Sequence, residues 1–169
     1  LGMHLDFLRP HPGSILIDDI AHALAMTNRY NGHAPFPYSV AQHSVLCSRQ
    51  APRHLKMQAL MHDAQEAYVC DVPSPLKILL PAYNEIETRI EQVIRTKYNL
   101  PMVFAPLVKE IDLRMLVTEA KALGFSWWHH FDEQPYIDLR IEPWTWEYAR
   151  AEFLSTFYEL KNTHHDTRI

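Results

Sequence analysis

Residues 59–77, Ala59-Leu60-Met61-His62-Asp63-Ala64-Gln65-Glu66-Ala67-Tyr68-Val69-Cys70-Asp71-Val72-Pro73-Ser74-Pro75-Leu76-Lys77, begin like the interior of a helical protein and then turn polar. Ala59, Leu60 and Met61 are core residues by type. His62 and Asp63 then stand side by side, Glu66 follows one turn later, and Asp71 precedes Pro73 and Pro75. Burying charge without partners is costly. Either these side chains face solvent, or something in the interior compensates them.

Outward from this stretch the helical period recurs, and strand-like alternation is nearly absent. Residues before about 17 read as irregular, with a short N-terminal hairpin around His11-Pro12-Gly13. Asp18 can cap a helix with Ile20, Ala23, Leu24 and Thr27 on one face, ending before Gly32. Ser39-Val40-Ala41-Gln42 is a capping box, so a helix starts there and carries His43. The next helix runs from about Pro52 to Val69 and holds the opening stretch; Pro73 and Pro75 enforce a turn after it. Ile86, Ile90, Val93 and Ile94 mark a helix from about Tyr83 to Tyr98. Another spans about Pro106 to Leu123 and stops at Gly124. A loop rich in Trp and Pro leads to a last helix from about Thr145 to Lys161. The expected fold is all-α, a compact bundle of about six helices forming a single domain over residues 1–169.

Composition narrows the function. The chain has 169 residues, 47% hydrophobic and 21% charged, enough for one sizeable core. Its formal charge of −4 carries no Lys- or Arg-rich run, which argues against duplex nucleic acid or an anionic membrane as partner. An anionic substrate therefore needs a local basic site. Two cysteines, Cys47 and Cys70, are too few for a disulfide framework. No signal-peptide pattern and no bilayer-length apolar run is present, so a cytoplasmic protein is expected.

His-Asp dipeptides have little weight by themselves, because this composition supplies roughly 0.6 by chance. The chain has two, at 62–63 and 165–166, the second in a polar tail. His62-Asp63 sits in an apolar helix, His43 early in the preceding apolar helix, and Asp112 in a third, Val108-Lys109-Glu110-Ile111-Asp112-Leu113. Two imidazoles and two carboxylates converging from three helices make a mixed nitrogen–oxygen metal site. The alternative is a core histidine, a solvated His-Asp pair and an exposed aspartate.

These residues carry a family resemblance. His43, His62-Asp63 and Asp112 resemble the H…HD…D pattern of the HD-domain metal-dependent phosphohydrolases. Asn28-Arg29-Tyr30-Asn31-Gly32-His33, Tyr38-Ser39-Val40-Ala41-Gln42-His43-Ser44, Leu60 through Tyr68 and Asp71 through Lys77 look like the phage and prophage branch of that family. That branch is related to bacterial 5′-deoxynucleotidase and phage dATP triphosphohydrolase. The likeness extends from about residue 15 to 123.

The resemblance implies that His43, His62, Asp63 and Asp112 hold one divalent ion. Mn, Co, Ni, Fe, Zn and Mg all remain open for such a donor set. Glu66 lies four residues after His62 on the same helix face. It is the candidate for orienting the nucleophile or protonating the leaving oxygen, with Asp63 the catalytic metal ligand beside it. The resemblance gives Asp71 a sugar 3′-hydroxyl and Arg29 the phosphate. It expects an aromatic after the Arg, often Trp; here it is Tyr30, which can pack on a base or sugar. His33 and Lys77 are further phosphate candidates. Gln42 stands where the deoxynucleotidase relatives have Glu. The plainer readings are a solvated Glu66 and Lys77, Asp71 as a helix-ending turn residue, and Arg29 paired with a surface acid.

Trp127-Trp128-His129-His130 reads as aromatic packing or an oligomer contact. Cys47 and Cys70 read as small core residues. His22 and His54 lack an identifiable partner, and Trp144, Trp146, Phe153 and Phe157 read as core or interface aromatics. The expected activity is cleavage of the 5′-oxygen–α-phosphorus bond of a deoxynucleotide. A dNTP such as dATP gives deoxynucleoside and triphosphate, and a dNMP is also accepted. The alternatives are a deoxynucleotidase restricted to monophosphates, a cyclic-nucleotide phosphodiesterase and a non-catalytic nucleotide-binding protein. A homo-oligomer is expected from the family.

Overall fold

A computed structural model of the chain describes residues 2, 4–136 and 138–163. The His-Asp pair at 165–166 lies outside them. Among the described residues the regular elements are all helices, joined by turns and loops, and no β-strand is formed. In chain order the α-helices are α1 (Ile17–Met26), α2 (Val40–Gln50), α3 (Lys56–Met61), α4 (Glu66–Val69), α5 (Ser74–Lys77), α6 (Pro81–Lys97), α7 (Pro106–Ala122) and α8 (Trp146–Thr163).

α2 is the centre of the bundle. Every residue from Val40 to Ser48 is buried, and the helix packs against α1, α3, α7 and α8. One side faces a cluster that includes Leu24, Leu60, Ile90, Ile94, Phe153 and Phe157. The other faces Leu55, Val108, Ile111 and Met115. Each large side chain buried this way contributes about 1.5–3 kcal/mol. A helix buried on all sides has no solvent face for its polar residues, so His43 must find its partners inside.

Sequence signals set most boundaries. The Ser39 hydroxyl accepts from the Gln42 N–H at 3.1 Å, capping α2. The Gln42 side chain does not reach back as a capping box requires; its Nε2 donates to the Glu142 carbonyl at 2.6 Å. Pro81 and Pro106 open α6 and α7, where a missing N–H costs nothing. Gly124, at φ +82°, ends α7. The Phe125 N–H returns to the Ala120 carbonyl at 2.9 Å and the Gly124 N–H to Lys121 at 3.2 Å.

Three expectations are corrected. His11-Pro12-Gly13 forms no hairpin; Pro12–Ser14 is a 3₁₀ turn, with the His11 ring accepting from the Gly13 N–H. α1 begins at Ile17, and Asp18 lies inside its first turn rather than capping it. The helix expected from Pro52 to Val69 is broken. It starts at Lys56 after a 3₁₀ turn and gives way to tightened turns between α3 and α4. There Ala64 N–H bonds Met61, and Glu66 N–H bonds Asp63. Such tightened turns mid-helix often mark a functional hinge or a sequence under strain.

The loop between α1 and α2 is closed on itself. Arg29 N–H donates to Tyr38 at 2.8 Å and Val40 N–H to Thr27 at 3.0 Å. This sets Arg29 and Tyr30 beside the start of α2.

Candidate metal centre

Three elements bring polar side chains to one point. α2 supplies His43, the turn between α3 and α4 supplies His62 and Asp63, and α7 supplies Asp112. One ligand atom from each lies within 4.8 Å of all the others. His43 Nε2 is 3.2 Å from His62 Nε2, 3.5 Å from Asp63 Oδ2 and 3.2 Å from Asp112 Oδ1. His62 Nε2 is 3.1 Å from Asp63 Oδ2 and 3.6 Å from Asp112 Oδ1. Donors held about 2.1 Å from one ion lie about 3.0–3.4 Å apart in octahedral or tetrahedral arrangement, so the spacing fits a single ion. The His43 side chain is fully buried, whereas Asp63 and Asp112 are 16% and 15% exposed, so the group opens toward solvent on its carboxylate side.

Both rings are held from behind. The His62 Nδ1–H donates to the Ala59 carbonyl at 2.8 Å. The His43 Nδ1–H donates to Glu119 Oε1 at 2.5 Å. In the neutral ring each Nε2 then carries the lone pair, aimed at the shared point. Burial disfavours a charged His43, and Arg29 works the same way. Cys47, Glu119 and Asp112 outweigh both and raise its pKa well above the ordinary value. His62 is raised likewise: burial opposes, and Asp63 and Asp112 prevail. Burial also opposes ionisation of Asp63 and Asp112, yet the two imidazoles hold both below the usual carboxylate range. The cluster attracts positive charge, as protons or as a cation.

A second group, His43, Cys47 and His62, can also hold an ion. Cys47 Sγ is 3.5 Å from His43 Nε2 and nearly as close, 3.8 Å, to Nδ1. The thiol therefore lies beside the ring rather than in line with its metal-facing nitrogen, and the Asp-containing set is the better ligand geometry.

The remaining candidates divide. Glu66 is buried, with Oε2 lacking a hydrogen-bond partner among the described residues. Burial first, then Asp63 and Asp71, push its pKa well above the usual carboxylate value. The turn at Cys70, with φ +70°, brings Asp71 back within electrostatic range of Glu66, Arg29 and Asp63. Lys77 Nζ is 2.6 Å from Glu87 and 3.9 Å from Glu66. Arg29 is buried rather than paired with a surface acid. Its Nη1 lies 3.7 Å from Asp63, and its Nε lies 3.2 Å from Glu119 as an ion pair without hydrogen-bond alignment. Tyr30 O–H donates to Glu119 at 2.9 Å. His33 is exposed, and among the described residues no hydrogen bond or ion pair joins its side chain to the cluster.

Trp127 packs on Phe125 and Tyr30, with ring centroids 5.6 and 6.1 Å apart. Cys47 is buried, but Cys70 is exposed, since it occupies the turn that ends α4. His22 does have a partner, Trp146, with the two rings nearly perpendicular. Phe153 and Phe157 are core, while Trp146 is 42% exposed. Four contributors escaped the sequence reading: Glu119, Tyr38, Glu87 and Lys109, whose Nζ is 2.6 Å from Asp112 Oδ2. Spacing offered a signal for two of them. Glu119 is two helical turns after Asp112, and Lys109 is one turn before it.

Among the described residues no helix is long and apolar enough to cross a membrane. No family model matches the chain. The Escherichia coli (strain K12) protein named Uncharacterized protein YfdR is 42% identical over 163 residues, covering 94% of this chain and 92% of its own length. An uncharacterized protein of Rhodobacter capsulatus is 36% identical over 140 residues, 74% of this chain and 71% of its own length. At these levels of identity and coverage, the chain belongs to the family that includes these two proteins.

Proposed function

We propose that the chain is a metal-dependent phosphohydrolase of the HD-domain type, acting at the α-phosphorus of deoxynucleotides. The observation that carries this is the convergence of His43, His62, Asp63 and Asp112 within 4.8 Å, with a buried carboxyl, Glu66, in electrostatic range of Asp63. A divalent ion held by the four ligands supplies Lewis acidity toward a phosphoryl oxygen and acidifies water.

The protein's own groups complete the chemistry. Water forms the new bond to phosphorus as the bond to the 5′-oxygen breaks; one of its protons stays on the product phosphate and the other restores Glu66 through solvent. Glu66, whose pKa is raised by burial and by Asp63 and Asp71, gives its proton to the departing 5′-oxygen. Asp71, half-buried, accepts from a sugar hydroxyl. Arg29, Lys77 and Lys109 supply positive charge around the cluster for phosphate oxygens. Tyr30 offers a ring to the base or sugar.

The test is chromatographic product analysis after incubating Mn-loaded protein with dATP, dAMP, ATP and cyclic AMP, with a chelated control. Deoxyadenosine and triphosphate from dATP support the full proposal. Product from dAMP alone restricts it to monophosphates. Product from cyclic AMP alone, or from none, overturns it. Assembly of several copies belongs to the same proposal. Tyr148, Tyr158 and Trp146 are 48%, 44% and 42% exposed, and light scattering reads the copy number.

A further inference from the structure

Glu119 has no exposed surface. Its two carboxylate oxygens receive four groups from three other segments. Oε1 accepts from Tyr38 O–H at 2.8 Å and from His43 Nδ1–H at 2.5 Å. Oε2 accepts from Tyr30 O–H at 2.9 Å and pairs with Arg29 Nε at 3.2 Å. A carboxylate in the middle of a helical bundle is a costly way to join helices, because a well-packed apolar side chain does so without desolvating a charge. It does one thing an apolar residue cannot. It accepts the Nδ1 proton of His43, which fixes the tautomer and turns the Nε2 lone pair toward the other three ligands.

His62 provides an internal comparison. Its Nδ1–H is held by a neutral acceptor, the Ala59 carbonyl. The two imidazoles of one cluster thus rest on unlike supports, a peptide carbonyl and an anion. An anionic acceptor raises the donor strength of the ring more than a neutral one. His43 is also the ligand with no exposed side-chain surface, so its ring has no water to take over if Glu119 withdraws.

The two tyrosines restrain that support. Tyr38 is buried at the entry to α2, with its hydroxyl on the same oxygen that His43 uses. Tyr30 holds a backbone φ of +56°, a conformation unfavourable for a non-glycine residue. Its ring packs on Phe125 and Trp127, with centroids 5.0 and 6.1 Å away, and its hydroxyl closes on Glu119. The aromatic run after α7 is therefore a prop for Tyr30.

We propose that Glu119 is a positioning residue that sets the ion affinity of the cluster through His43, with Tyr30 and Tyr38 holding its carboxylate in place. The inference rests on the four-ligand metal site but not on any particular reaction.

The experiment is calorimetric titration of full-length protein with Mn²⁺ at fixed pH, for wild type, Glu119→Gln, Tyr38→Phe and Asp63→Ala. Glu119→Gln should bind one ion 10- to 100-fold more weakly, roughly the cost of losing such a partner. Tyr38→Phe should weaken binding in the same direction by a smaller factor. The wild-type NMR spectrum should show a far-downfield imidazole N–H signal that Glu119→Gln loses. A Glu119→Gln protein that melts earlier yet binds Mn²⁺ as wild type does would make Glu119 merely structural and overturn the proposal. If Glu119→Gln does not fold, undiminished affinity in Tyr38→Phe overturns it equally. No binding to the wild type removes both this inference and the metal site. Binding lost in Asp63→Ala but kept in Glu119→Gln removes this inference alone.

Discussion

His43 and His62 face each other through their Nε2 atoms at 3.2 Å, and each nitrogen lies within 3.6 Å of a carboxylate oxygen from Asp63 and one from Asp112. Two lone pairs at that distance repel unless something positive lies between them. The pKa values of both rings are raised, so below those values protons occupy the nitrogens that an ion needs. Metal uptake must displace them. Apparent affinity should therefore increase with pH and level off above the raised histidine values. Calorimetry in buffers of different ionisation enthalpy should register proton release on binding. Binding without release would mean that the ion takes other ligands.

An ion that binds only the folded protein also stabilises it. At free Mn²⁺ about 100-fold above its dissociation constant, the gain is about 2.7 kcal/mol. For a chain of this size that raises Tm by about 5–10 °C. Asp63→Ala should show no such shift in a melting experiment, because three donors and an unbalanced pair of imidazoles remain. An equal shift in that variant would place the stabilising ion elsewhere.

Glu66→Gln should fold and bind Mn²⁺ as the wild type does, yet turn over substrate ~10²-fold or more slowly. The pH profile is the sharper test. In the proposed reaction Glu66 is the acid, so its contribution is present below its raised pKa and lost as pH climbs through it. The wild-type rate should therefore fall on the alkaline side, and Glu66→Gln should abolish that limb. A limb that persists would assign the proton to another group.

What could be read in advance was local. The Ser39 cap, the stop at Gly124 and the apolar spacing of α6 and α7 each depend on a few neighbouring residues. His43, His62, Asp63 and Asp112 stood out because each is polar in an apolar helix. Glu119 satisfies the same criterion, but a glutamate late in a long helix also reads as a solvated residue. Only the approach of Tyr30, Tyr38 and His43 from other segments distinguishes the two. The break after Met61 was illegible for another reason: three-residue and four-residue turns leave nearly the same apolar spacing over so short a run. Cys70 was misplaced because residue type alone suggested burial, while the backbone turn at that position exposes it.

Lys77 stands between two acids, 2.6 Å from Glu87 and 3.9 Å from Glu66. Removing Glu87 should leave Glu66 as its main partner. A closer ammonium favours the ionised carboxylate, so the raised pKa of Glu66 should fall. Glu87→Gln should therefore move the alkaline limb of activity to lower pH without changing Mn²⁺ affinity. Lys77→Met should move it the other way and raise KM for a phosphate-bearing substrate. An unmoved limb in both variants would detach Lys77 from the acid.

Phe153 separates the fold from the site. It is fully buried on α8, the helix that packs across α1, α2 and α3, and it belongs to the cluster on the opposite side of α2 from α7. Phe153→Ala should cost about 3–5 kcal/mol through lost burial and the cavity left behind. At ordinary domain stabilities that is a large share of the total, so urea denaturation should show an earlier midpoint. Phe153 donates nothing to His43, Asp63 or Asp112, so the fraction that remains folded should bind Mn²⁺ with wild-type affinity. A parallel loss of stability and affinity would mean that the ligands are held by the packing of α8 itself, and that Glu119 and the Ala59 carbonyl are not sufficient supports for the two rings.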